Sequence, residues 1–227
     1  MAESIKQAPH APLPAPVGEG QSSGILVLAA HPNWRESRVN KRLLEAARGG
    51  GGVQVRDLYA LYPDYDIDTG VEQAVAQQAR LVVLLHPIQW YSMPALLKLW
   101  LDEVLTYGWA YGPGGTALQG KDLWLVATTG GPESSYHPQS YNRYFFEAFL
   151  PPYEQTAALC GMRFLPPLLL HGAHRAHEDA VAQHVEVFAD RLRTYPEWPE
   201  IEDLLACPAC EVPTTDRPLS GADASAE

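Results

Sequence analysis

Short apolar runs alternate with amphipathic stretches along most of this chain. Ile25 to Ala30 is continuously apolar, the pattern of a parallel strand covered on both faces. Val39 to Arg48 has a helical period and ends in Gly49 to Gly52, which stop it. Val53 to Leu58 alternates and reads as a second strand, and Val71 to Ala79 as a short helix. Leu81 to Leu85 is a third strand, closed by His86-Pro87. Pro94 to Tyr107 carries the strongest helical signal, with proline near its start and apolar residues at 96, 97, 100, 101, 104 and 105. Asp122 to Thr129 is a fourth strand. Asn142 to Cys160 reads as mostly helical, with Pro151-Pro152 expected to bend or break it. Phe164 to His171 is a fifth strand despite Pro166 and Pro167, and Ala176 to Thr194 a closing helix.

Five strands alternating with helices predict an α/β fold, a doubly wound five-stranded parallel sheet. Such sheets bind ligands beyond the carboxyl ends of their strands, at a switch point, so the loops after strands one, three and four are where chemistry is expected. Residues 1–23, rich in Pro, Ala, Gln and Ser, read as a disordered arm. Residues 24–195 read as the folded domain and 196–227 as a polar, Pro-containing tail.

Composition narrows the partners. Of 227 residues, 46% are hydrophobic, enough for a sizeable core, and the net charge of −11 disfavours nucleic acid and anionic membrane surfaces. The run Leu81 to Leu85 is far too short to span a bilayer, and the N-terminus lacks the apolar stretch of a secretory signal. A cytoplasmic location is expected. Cys207 and Cys210 form a lone Cys-x-x-Cys with no further ligands nearby and read as tail thiols. His171, His174 and His177 read as solvated histidines, so no metal is expected. Asp64, Asp66 and Asp68 lack the Gly and Glu of a calcium loop and read as caps.

The loop His31-Pro-Asn-Trp-Arg-Glu-Ser37-Arg-Val39-Asn40 enters a helix N-terminus, where free N–H groups and the helix dipole favour an anion. Ser37 is placed as the cap, and Arg35, Arg38, Lys41 and Arg42 cluster here; an ordinary capped helix with a solvated basic face is the alternative. The loop His86-Pro87-Ile88-Gln89-Trp90-Tyr91-Ser-Met-Pro94 is stiffened by prolines and offers Trp90 and Tyr91 as flat apolar walls; a helix entry with core aromatics is the alternative. The loop Thr128-Thr129-Gly130-Gly131 leads to Tyr136 and His137, a hydroxyl donor and a group titrating near neutral pH; a plain Gly turn is the alternative. All three fall at the expected ligand edge. A reduced flavin needs this combination: donors at a helix end for its phosphate, flat walls for its ring, and donors where hydride arrival puts charge.

At these residues a family resemblance enters. Pro87-Ile-Gln-Trp-Tyr-Ser-Met-Pro-Ala-Leu-Leu-Lys98, Thr128-Thr-Gly-Gly131 and Tyr136 resemble the DT-diaphorase family of flavodoxin-like NAD(P)H:quinone reductases. Asp57-Leu-Tyr-Ala, Gly108-Trp-Ala-Tyr-Gly112 and Pro132-Glu-Ser-Ser-Tyr136 resemble the flavodoxin-fold ancillary subunits of glutathione-regulated potassium-efflux systems more closely still. The resemblance implies a flavodoxin-like strand order 2-1-3-4-5 and FMN ahead of FAD. It implies NAD(P)H as co-substrate, a quinone or similar electrophile as acceptor, a homodimer, and an antiporter partner that would hold the chain at the inner face of the membrane. It places His31, Ser37, Val39 and Asn40 at the phosphate, Pro87 to Tyr91 along the ring, and Thr128 to Gly131 at its opposite edge. Tyr136 matches a tyrosine implicated in stabilising reduced flavin. The family's catalytic histidine, six residues after that tyrosine, is Asn142 here, so His137 is the expected substitute.

Overall fold

A computed structural model describes residues 24–203; the expected N-terminal arm, most of the C-terminal tail, Cys207 and Cys210 lie outside the described residues. The core is a parallel sheet of β1 (Ile25–Ala29), β2 (Val53–Asp57), β3 (Leu81–Pro87), β4 (Asp122–Thr128) and β5 (Arg163–Leu170) in the order β2-β1-β3-β4-β5. Side-chain alternation divides the interior into two layers. Leu26, Leu28, Val82, Leu84, Leu123 and Leu125 face α2 (Leu58–Leu61), α3 (Thr69–Gln78), α4 (Ala95–Val104) and α5 (Pro151–Leu159). Ile25, Val27, Leu81, Val83, Trp124 and Val126 face α1 (Val39–Gly49) and α6 (Glu178–Thr194). Both faces are thus dry, which is why β1 and β3 read as unbroken apolar runs.

The α3 side is fastened by a buried polar knot. Glu72 on α3 is wholly buried; it accepts from Arg56 Nε (3.0 Å) and Nη2, Tyr62 Oη (2.6 Å) and Trp100 Nε1 (2.8 Å). Of the aspartate run read as capping a loop, Asp64 accepts the Asp66 N–H within the loop (3.3 Å), while Asp68 caps the helix α3 by accepting the Val71 N–H at 3.0 Å.

Two stretches depart from the sequence reading. Asn142 to Phe145 is irregular and Phe146–Phe149 a single 3-10 turn; the helix begins only at Pro151. Proline is preorganised for a first helical turn and lacks only an N–H that has no acceptor there, so Pro151-Pro152 starts α5 instead of bending a longer helix. Packing also runs on past residue 195: Trp198 is 3% exposed, lies 4.7 Å from Trp124 between ring centroids, and precedes α7 (Pro199–Asp203). The polar, Pro-rich composition there concealed one apolar anchor. Pro166 and Pro167 are accommodated because β5 is an edge strand, with a register shift opposite Trp124 and Val126.

Candidate active site

Parallel strands bring all their carboxyl ends to one edge, and there the loops are stitched to one another. The Ile88 N–H donates to Thr128 O (2.7 Å), Thr129 N–H to Leu170 O (3.0 Å) and Gly172 N–H to Gly131 O (2.8 Å). Asn40 Nδ2 donates to Thr128 Oγ1 at 2.8 Å, tying the start of α1 to the end of β4. Asn40 is buried, yet its Oδ1 has no hydrogen-bond partner. A buried acceptor without a donor costs on the order of 1–3 kcal/mol, so such an atom points to a ligand.

In the first loop, Ser37 Oγ accepts the Lys41 N–H (3.2 Å), relieving one of the helix's orphan donors. The first-turn N–H groups of Val39 and Asn40 lack intrahelical acceptors by the geometry of any α-helix, while the Val39 side chain packs in the core. His31 takes the Asn33 N–H on Nδ1 (3.0 Å) and lies against Trp34; burial lowers its pKa, Glu36 working against this and His174 with it. The basic cluster is smaller than its sequence count: Arg38 donates to Ala176 O (2.7 Å) and Glu178 (3.1 Å), and Arg42 also pairs with Glu178.

The third-strand loop turns abruptly. Gln89 and Ser92 exchange main-chain bonds of 2.9 and 3.0 Å, with Trp90 at φ +48° and Tyr91 at φ +64° between them. Two successive left-handed residues make a type I′ turn, which favours Asn and Gly, so each aromatic here stores strain of about 1–3 kcal/mol. Tyr91 stacks on Phe149 (5.2 Å, 24°) and directs its Oη toward Asn142 Oδ1 (3.4 Å). Trp90 is 94% exposed: it walls nothing within its own chain. Burial beneath this loop depresses His86 to about 4, against a bond between Nδ1 and Pro87 O (2.9 Å).

The fourth-strand loop is close-packed. A Cβ on Gly131 would meet Ser135 Oγ at 2.7 Å and Tyr141 Oη at 2.8 Å, whereas at Gly130 there is ordinary room, His174 lying 3.6 Å away. Thr129 Oγ1 donates to Gly131 O (2.7 Å). Tyr136 is buried edge-on against Phe146 (5.3 Å, 84°), and burial raises its pKa. Asn142 spends Nδ2 on Ser135 Oγ (2.9 Å) and faces Tyr91 with its oxygen: a structural tie that does not titrate.

The two histidines part company. His137 is exposed, its Nδ1 taken by the Gln139 N–H (3.2 Å) and its ring against Phe145 (5.0 Å). His171, read from sequence as solvated, is half-buried in the site. Its Nδ1 is 3.0 Å from Thr129 Oγ1, and its ring lies 5.3 Å from Tyr136 and 5.1 Å from Phe146. One available signal was its position as the first residue beyond β5, since the fifth strand shares the ligand edge. Grooves of about 550 and 660 Å³ flank α6, but neither borders any of these loops.

The fold defines a doubly wound α/β protein whose loops after β1, β3 and β4 meet at the carboxyl edge of the sheet. Residues 23–192 match the family described as flavodoxin-like fold, and the chain belongs to that family. It is 44% identical over 173 residues to the glutathione-regulated potassium-efflux system ancillary protein KefF of Citrobacter koseri, spanning 76% of this chain and 97% of that protein. The solved structure of general stress protein 14 of Treponema denticola in complex with FMN is similar at TM-score 0.70 and 36% identity, covering 74% of this chain and 99% of that one. An NADPH-quinone reductase of P. pentosaceus is similar at TM-score 0.67 and 27% identity, covering 74% and 96%. Among the described residues no helix is long and apolar enough to cross a membrane.

Proposed function

We propose that this chain is an NAD(P)H-dependent flavin oxidoreductase that reduces quinones or similar electrophiles by two electrons. The observation that carries the reading is the partnerless, buried Oδ1 of Asn40, set between the β1 and β4 loops. It asks for a donor, and the hydroxyls of a ribityl chain are donors. His31, Ser37, Val39 and Asn40 would hold the phosphate end of FMN. The main chain of Pro87, Ile88, Gln89, Trp90 and Tyr91 would run along one side of its ring, and Thr128, Thr129, Gly130, Gly131 and Tyr136 the other. FMN is favoured over FAD by the 36% identical general stress protein 14, complexed with FMN. Bound flavin would supply two-electron chemistry, accepting a hydride equivalent from the nicotinamide and passing it to the acceptor.

The chain's own residues do the rest. Gly131, with no side chain, lets Ser135 and Tyr141 close tightly on the loop and so fixes the loop's shape. The Tyr136 phenol, kept protonated by burial, donates toward charge that accumulates in the cleft. The stacked Tyr91–Phe149 pair and Phe146 exclude water. NAD(P)H, a quinone and one proton become NAD(P)⁺ and a hydroquinone. The exposed Trp90, Tyr141, Tyr144 and Phe145 form the face that a second copy of the chain would cover.

The test is oxidation of NADPH and NADH by the FMN-loaded protein with menadione, expected at about 1–10³ per second. Tyr136→Phe should slow it about tenfold. A protein that holds FMN yet oxidises neither nucleotide contradicts the reading. The 44% identity to KefF favours a second role, not exclusive of the first: ancillary subunit of a potassium-efflux antiporter, cytoplasmic and held at the membrane by that partner. Under that role alone the protein would co-purify with the antiporter and lack turnover.

A further inference from the structure

The edge contains one half-buried imidazole in contact with Tyr136, engaged at Nδ1. The Thr129 hydroxyl lies between Gly131 O (2.7 Å), His171 Nδ1 (3.0 Å) and the Tyr136 phenol, which it also hydrogen-bonds. With its proton on Gly131 O, the contact with His171 is one that an Nδ1–H tautomer makes as donor, and that tautomer leaves Nε2 to exchange protons. Among the described residues Nε2 has no hydrogen-bond partner. The ring packs against both Tyr136 and Phe146, whose own rings are in contact with each other.

We propose that His171 is the proton-carrying residue of this site: neutral at rest, it takes a solvent proton on Nε2 when negative charge enters the cleft, and gives it to the acceptor's oxygen as the hydroquinone forms. The inference rests on the reductase reading. It balances the reaction, because NAD(P)H delivers two electrons and one hydrogen as hydride, leaving the second hydrogen of the hydroquinone to come from solvent. At the quinone a carbonyl π bond breaks and an O–H bond forms. Burial lowers the pKa of His171, and the carboxylates that face it, Glu133 and Glu147, oppose that effect. The remaining titratable group against it is Tyr136, neutral by its own burial. The imidazole is thus uncharged until an anion arrives beside it, and half-buried, so water reaches it.

The experiment has two arms on the full chain. In the first, long-range ¹H–¹⁵N spectra of ¹⁵N-histidine-labelled protein are recorded alone, with FMN, and with FMN after dithionite. His171 is expected as the neutral Nδ1–H tautomer in the first two and protonated on both nitrogens in the third. An Nε2–H tautomer, or no change on reduction, overturns the proposal. In the second, the pH profile of menadione reduction is compared for the parent, His171→Asn and His171→Gln. Both variants should bind FMN, lose one ionisation from the profile and turn over about 10²-fold more slowly. Variants that bind FMN and give a superimposable profile overturn the role of His171 alone; a parent chain that takes up no FMN overturns the flavin reading itself.

Discussion

Glu72 and Asn40 are both buried and are treated in opposite ways. Glu72 accepts four hydrogen bonds from Arg56, Tyr62 and Trp100, tying β2, α2, α3 and α4 into one unit. Asn40, at the carboxyl edge of the same sheet, makes one bond through Nδ2 and leaves Oδ1 bare. Glu72 lies inside the regular helix α3, though Tyr65 before it is left-handed; at the carboxyl edge the loop after β3 holds two successive residues, Trp90 and Tyr91, in left-handed conformations. Unfavourable local choices persist only where the rest of the fold outweighs them, and they gather where a ligand is to be met. The closed side of the sheet thus supplies rigidity, and the open edge carries function.

If that division is right, substitutions should sort by side. The largest effect is expected from Glu72→Ala, which strands the buried Arg56 guanidinium: a loss of about 3–5 kcal/mol in urea unfolding. A loss below about 1 kcal/mol would mean the knot is not what fastens α3. Acidification comes next. His86 is neutral in the fold, with its pKa lowered to about 4, and His184, buried with an unpartnered Nε2, is lowered to about 4 as well, both chiefly by burial. The unfolded chain takes up a proton near pH 6.5 that folded His86 refuses until about pH 4. Stability from this residue is therefore whole above pH 6.5 and falls as the pH drops toward 4, by up to about 3 kcal/mol. Urea midpoints at pH 7.5 and 4.5 check this, and His86→Asn should flatten the dependence.

At the open edge the effects should fall on ligand rather than fold. Gly131→Ala places a methyl within 2.7–2.8 Å of Ser135 and Tyr141, and should weaken FMN binding at least tenfold in a fluorescence titration. The smallest effect is the most telling in sign. Trp90→Asn gives a left-handed position a residue that tolerates it and removes a side chain that is 94% exposed. It should raise dilute-solution stability by about 0.5–1 kcal/mol while lowering quinone turnover. A destabilised Trp90→Asn would show that the turn is supported by something other than its ligand.

The sheet was legible in the sequence because burial on both faces leaves β1 and the first five residues of β3 wholly apolar, and the glycines and prolines between elements mark the stops. The loops after β1, β3 and β4 were legible because parallel strands must end together. Asn40 beside Thr128 followed from that rule, though its bare oxygen did not. What escaped were contacts depending on a few side chains far apart in sequence. His171 reads as one of three evenly spaced polar histidines until β5 delivers it to Thr129, a bond across 42 residues. His137 looks well placed by adjacency to Tyr136, yet Gln139 engages its Nδ1. Trp198 is a single apolar residue in a polar stretch, and only its contact with Trp124 marks it as core.

The central claim is that the carboxyl edge is a flavin cleft whose unmet hydrogen bond is at Asn40. The most direct measurement is titration of FMN fluorescence with the purified protein and with Asn40→Leu, which keeps the volume and removes the acceptor. The account predicts stoichiometric quenching by the parent chain with a micromolar or tighter Kd, weakened at least tenfold in Asn40→Leu while that variant folds at least as stably without flavin. Unquenched FMN with the parent chain, or equal binding by both proteins, would contradict it.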